Sequence, residues 1–161
     1  MRKIFYCFVF IACVFASMEQ VVDRYPSGSI KHVDFMKEIN GKLEVFLSKE
    51  YFENGQLKYE SRESNSHMDG AYTSYYESGV KRSTGKFKNG KMDGQWVFYR
   101  SSGDIIAKGR YGGGVDTDLF ESYDYNLNNI PESMMVGGWY MYHQGGKIAK
   151  SFAFDSKGEK S

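Results

Sequence analysis

The residue types that most often do chemistry are sparse on this chain and poorly spaced for it. Its three histidines, His32, His67 and His143, stand apart, and the sequence holds no HExxH, no nucleophile elbow and no Walker-type GK[ST]. Such histidines are expected to be satisfied surface or strand-edge residues. The stretch YGGGV at 111–115 lacks the lysine and the helix N-terminus that hold phosphate in a P-loop, so a turn is expected there. In DTDLFESYDYN, Asp116, Asp118, Glu121 and Asp124 lie close enough to wrap Ca²⁺, but the EF-hand glycine and closing glutamate are missing, which favours a solvated acidic loop. No carboxylate pair stands out at a glycosidase spacing. The expectation is no catalytic residue, no metal and no cofactor, in a protein that is not an enzyme.

Both cysteines, Cys7 and Cys13, fall in an N-terminal segment unlike the rest. MRK supplies two cations, and IFYCFVFIACVF is an apolar run ended by Ser17, Glu19 and Gln20. The run is shorter than the ~20 residues a spanning helix needs, so residues 1–16 are expected to be an export signal. Val14 and Ala16 occupy the small-residue positions for a cut before Ser17. Phe10-Ile11-Ala12-Cys13 is a competing lipobox-like match that would make Cys13 an acylated N-terminus, and an uncleaved anchor is a third possibility. A chain cut after Ala16 has no cysteine, which removes disulfides, thiolate catalysis and cysteine metal sites together. The expected location is exported: periplasmic, outer-membrane or secreted.

The elements that must position any site come from an internal repeat. An offset of 24 carries Met68-Asp69-Gly70 onto Met92-Asp93-Gly94, Gly55 onto Gly79 and Gly103, Tyr51 onto Tyr75 and Tyr99, Gly85 onto Gly109, Phe87 onto Tyr111, and Asn65 onto Asn89. A second pattern, an aromatic, two further residues, glycine, then an apolar residue and usually a cation, occurs in YPSGSIK, FENGQLK and YESGVKR. It recurs loosely in YHQGGKI from Tyr142, and Arg100 replaces the aromatic in the copy between. About five units result, degraded toward the ends as capping units are. With 17% aromatic residues, 18 glycines and 2 prolines, each unit is expected to be a β-hairpin: QWVFY or AYTSYY, a glycine turn, then AKGRY or STGKF. Asn-Gly then turns the chain into the next unit. Gly85 and Gly109 interrupt return strands, so rings from a neighbouring strand are expected to lie across the bare backbone.

GQWVFYRSSG with KGRY, and GAYTSYYESGVKRSTGKFKNGKMDG, resemble MORN repeats, in the bacterial variant found in proteins labelled YwqK-family antitoxins. The resemblance is good over about 46–114 and weaker over 24–45 and 137–152. It implies an all-β fold, an elongated meander of hairpins forming a curved, single-layer antiparallel sheet. It implies no single activity, since members are described as scaffolds, as membrane-associated or lipid-binding modules, or as presumed toxin partners. The repeat domain is placed at 17–155, interrupted by an acidic insert at about 115–136, with a polar tail at 156–161.

Net charge is +1 overall, which gives no reason to expect nucleic acid. Locally, Gly79–Gly114 carries eight cations against two acids, whereas Val115–Val136 carries five acids and no cation. The basic, aromatic strands could dock an acidic partner, or the insert could fold back and neutralise them. Alternation puts Trp96 and Phe98 on one face and Val97 and Tyr99 on the other, so both faces carry rings and a single layer cannot bury both. Trp96, Phe98, Tyr99, Arg100, Lys86, Lys88 and Lys91 are the candidate binding residues. Gly55, Gly70, Gly79, Gly85, Gly94, Gly103 and Gly109 are the structural repeat glycines. The function expected is an exported, non-enzymatic binding or scaffold module contacting a protein or an anionic envelope surface, with a homo-oligomer also possible. The alternative is an antitoxin or immunity protein that neutralises a cognate toxin.

Overall fold

The computed structural model describes residues 18–116 and 135–160. The expected export segment and most of the acidic insert lie outside the described residues. Among the described residues are ten strands: β1 (Met18–Arg24), β2 (Ile30–Ile39), β3 (Lys42–Tyr51), β4 (Leu57–Ser64), β5 (His67–Tyr75), β6 (Lys81–Lys88), β7 (Lys91–Tyr99), β8 (Ile105–Asp116), β9 (Met135–Tyr142) and β10 (Ile148–Phe154). They form one antiparallel sheet in strict chain order. The chain is the all-β meander of hairpins that its repeat predicts.

Two kinds of turn alternate. At one end of the sheet the N–H of Gly28, Gly55, Gly79, Gly103 or Gly146 returns to the carbonyl three residues back, on Tyr25, Phe52, Tyr76, Arg100 or His143, at 2.8–3.1 Å. These glycines hold φ between 81° and 91°, the left-handed value that closes a three-residue hairpin loop. Just past each turn the register slips, as between Ser74↔Ser83 and Tyr75↔Lys81 or Phe98↔Ala107 and Tyr99↔Ile105. One residue thereby bulges from each return strand and increases the local twist. At the other end Asn40-Gly41, Asn65-Ser66 and Asn89-Gly90 hold positive φ at both positions, the two-residue type I′ turn expected of Asn-Gly.

One detail corrects the expectation from the sequence. The fifth turn starts at His143, not Tyr142, because Gly145 and Gly146 are adjacent and the closing hydrogen bond uses Gly146. Past β10, Gly158 N–H bonds Asp155 O at 3.2 Å, Asp155 Oδ1 accepts from Lys157 N and Glu159 N, and Phe154 pairs with Lys160. A further glycine turn thus folds the end back onto β10, placing Lys160 Nζ 3.7 Å from the Phe152 ring centroid.

The core is a run of rings along one face. Tyr72 meets Phe87 edge-on at 5.1 Å, Phe87 meets Trp96 at 5.2 Å, and Tyr111 meets Trp139 at 4.9 Å, in the edge-to-face geometry that aromatic quadrupoles favour. Trp96 and Trp139 are fully buried. Each lies flat on a glycine of the preceding strand. A Cβ on Gly85 would stand 2.2 Å from Trp96 Cδ2, and one on Gly109 would stand 2.1 Å from Trp139 Cδ2. Each indole N–H then donates to the carbonyl just past its glycine, Trp96 Nε1 to Lys86 O at 3.1 Å and Trp139 Nε1 to Arg110 O at 2.8 Å. The rings expected over Gly85 and Gly109 are these two.

A second set of contacts joins consecutive units along the glycine-turn edge. The first turn residue of one unit bonds the carbonyl that precedes the next unit's turn: Tyr25 Oη to Tyr51 O at 2.8 Å, Tyr76 Oη to Tyr99 O at 2.7 Å, and Arg100 Nη2 to Tyr142 O at 2.6 Å. Arg100 replaces the aromatic without losing this donor.

Gly85→Ala and Gly109→Ala are each expected to cost about 3 kcal/mol, since the added methyl must displace an indole in a packed core. Gly138→Ala should be near neutral, because its nearest heavy atoms are 3.5 Å away on Tyr140. Urea denaturation of the three variants reads the difference. Tyr76→Phe, which removes a unit-to-unit donor, should cost about 1 kcal/mol in the same assay.

Candidate functional site

The candidate binding residues do not converge. Trp96 and Phe98 are fully buried and belong to the ring stack, so as surface contacts they are corrected: alternation sends both into the core. Lys88 and Lys91 face each other across the Asn89-Gly90 turn, whereas Arg100 opens the turn at the far end of β7. Nine residues at ~3.4 Å separate Lys91 from Arg100 by roughly 30 Å. Arg100 is also committed internally, donating to Ile105 O at 2.9 Å and to Tyr142 O. Lys86 lies on the face opposite the rings, 3.2 Å from Asp93 Oδ2, and its stem covers Gly94.

That opposite face is ordered by the register. Lys49, Glu60, Thr73, Thr84, Val97, Lys108 and Tyr140 follow one another across six strand pairs. Tyr51, Tyr75, Tyr99 and Tyr142 form a parallel row, one ring per unit, each half-buried. Burial, with Glu60 nearby, pushes the Tyr51 and Tyr75 hydroxyls above the usual tyrosine range. Lys108 Nζ sits 5.6 Å from the Tyr142 ring centroid. In the middle of the face a shallow depression of about 490 Å³ lies between Thr84, Gln95 and Val97, with Lys86 and Arg110 at its rim. Exposed Lys86, Lys108 and Arg110 make this region basic.

A site the sequence reading missed lies on the ring face at its N-terminal end. Glu63 precedes Phe87 by 24 residues and Tyr111 by 48, and Ser48 precedes Tyr72 and Trp96 in the same way. Where later units place rings, this unit places a carboxylate and a hydroxyl. A cleft of about 670 Å³ opens there, lined by His32, Asp34, Ser48 and Glu63, with Met36 and Val45 as its apolar wall and Lys42 and Glu44 beside it. Strand pairing puts Asp34 opposite Ser48. Ser48 Oγ donates to Asp34 Oδ1 at 2.6 Å, and His32 Nε2 stands 3.0 Å from the same oxygen. The carboxylate lies between imidazole and hydroxyl. A nucleophilic serine needs the imidazole in the middle to take its proton, so this order fixes side chains and does not activate Ser48. Among the described residues no group of three or more His, Cys, Asp or Glu is placed to hold a metal ion. His32 is isolated only along the chain; the signal that could have found this site is Glu63 falling on the Phe87 and Tyr111 positions at the repeat offset.

Burial, then the charge of Asp34, pushes the Glu63 carboxyl above its usual range, while Ser48, His32 and His67 oppose the shift. A raised folded-state pKa means that the folded chain binds this proton more tightly than the unfolded chain. Its contribution is fully favourable below the ordinary glutamate value and is lost as pH rises through the raised one. Glu63→Gln should therefore raise Tm at pH 7 and change it little at pH 4, a difference that calorimetry at the two pH values measures.

The repeat geometry has a counterpart among known families. A model described as MORN repeat variant matches residues 47–62 and 68–89. The comparison with curated proteins and that with solved structures each return no match. The two matched segments are the hairpins β3–β4 and β5–β6, including the Gly55 and Gly79 turns and the Gly85 that carries Trp96. Residues 47–89 of the chain thus carry MORN-variant repeats.

Proposed function

We propose that this chain is an exported, non-enzymatic module that contacts an acidic surface, on a protein or on an envelope, through the face opposite its ring stack, in keeping with MORN repeats in general being binding or scaffold modules. One observation carries the reading: the rings on one face of β5–β10 form the core, whereas the opposite face offers a tyrosine per unit and a depression lined by Lys86 and Arg110. Lys108 and Tyr140 extend that patch, and Lys88 and Lys91 add charge at one end. Half-buried tyrosines give contact area at small entropic cost, and the cations steer an acidic partner toward it. Export rests on the composition of residues 1–16.

A charge-reversed triple variant, Lys86→Glu with Lys108→Glu and Arg110→Glu, tests the face. The native chain should float with vesicles containing phosphatidylglycerol, and binding should fall as salt rises from 50 to 500 mM. The variant should fail to float at either salt while keeping the native circular dichroism. Equal flotation of both chains would remove the outer face from the proposal.

A further inference from the structure

The N-terminal cleft goes beyond the outer-face reading and does not rest on it. Its volume, about 670 Å³, lies within the range of small-ligand pockets. It exists because the repeat breaks its own pattern. Glu63 and Ser48 occupy positions that Phe87, Tyr111, Tyr72 and Trp96 fill with rings in later units, so the space is one the architecture elsewhere closes. The wall is also organised in advance. Asp34 Oδ1 holds both Ser48 Oγ and His32 Nε2, tying β2 to β3 before any ligand arrives.

The chemistry of the wall selects its occupant. Ser48 donates to one oxygen of Asp34, and His32 Nε2 stands 3.0 Å from the same oxygen. The acceptors that remain facing the cleft are the second Asp34 oxygen and the Glu63 carboxyl, with Glu44 at the side, and the polar groups of Lys42, Asn65 and Ser66 also line it. Met36 and Val45 add an apolar surface. Such a site is complemented by a group that brings several N–H donors and a positive charge on a short apolar stem. We propose that the cleft binds a primary alkylammonium group, carried by a free polyamine or by a lysine side chain of a peptide. Lys42, His32 and His67 are the nearby basic groups that oppose a cation, so the contest is between these and Asp34, Glu44 and Glu63. Binding should weaken as pH falls, because the Glu63 carboxyl, held above its usual range by burial, takes up a proton and loses its charge.

The test titrates cadaverine and, separately, Nα-acetyl-lysine amide into the full chain, followed by backbone amide NMR shifts. At least one probe is expected to give saturable shifts confined to β2–β5. Saturation by cadaverine alone assigns a free polyamine, and saturation by the lysine derivative assigns a peptide side chain. Glu63→Gln should weaken binding about ten-fold, the scale of one lost charged hydrogen bond. Glu63→Phe restores the ring of the later units and should abolish binding in a folded chain. Asp34→Asn, also expected to weaken binding about ten-fold, reads the same wall should Glu63→Phe not fold. No saturable shift with either probe, or unchanged affinity in Glu63→Gln and Asp34→Asn, overturns the proposal.

Discussion

The sheet depends on an indole lying on a bare backbone. A tryptophan packed flat across a strand needs the residue beneath it to have no side chain, and Gly85 and Gly109 supply that absence. A methyl at either position would come within about 2.2 Å of the ring. The indole N–H then reaches the next carbonyl, so each contact is both a packing and a polar connection between adjacent strands. Glycine in a strand is normally a weakness. Here its weakness is the space in which the neighbouring unit locks, and the edge-to-face rings on either side are placed by that lock.

This contact divides the labour of the two faces. Rings drawn onto glycine are removed from the surface, so Trp96 and Trp139, with Phe98 stacked between them, hold the units together from within the core. The residues of the other face are relieved of core duty and can be threonine, lysine, tyrosine or valine without loss of stacking. The turn edge adds its own ties, in which Tyr25, Tyr76 and Arg100 each bond a carbonyl of the following unit. Arg100 shows how charge counts along a chain mislead: a guanidinium that looked like part of a basic surface serves as a long hydrogen-bond donor.

Much of the architecture was legible because it is periodic. The offset of 24, the Asn-Gly turns and the glycines beneath rings all follow from residue identity at fixed intervals, and the strands fall where the alternation put them. Trp139 was harder to connect to Trp96, because the insert lengthens the interval from 24 to 43 residues. The fifth turn slipped by one residue because two adjacent glycines satisfy the same pattern. The cleft was hidden for a different reason: His32, Asp34, Ser48 and Glu63 come from three strands, and only the register of β2 on β3 brings Asp34 against Ser48. Sequence spacing carries no record of that pairing.

A repeat protein supplies its own internal comparison, and departures from the pattern carry information that a single-copy fold cannot give. Phe87 and Tyr111 show what the position of Glu63 is built to hold, and Tyr72 and Trp96 show the same for Ser48. Two polar residues together at ring positions leave a cavity in a core and raise the pKa of a carboxyl, both of which work against stability. Toward the end of an array some decay of the pattern is expected, since a terminal unit has one neighbour fewer. Decay alone would leave unrelated polar side chains facing water. Here Ser48, Asp34 and His32 instead hold one another on a single carboxylate oxygen, with Glu63 beside them. The ring face therefore changes character along its length, from a closed aromatic core in β5–β10 to an open polar cleft in β2–β5.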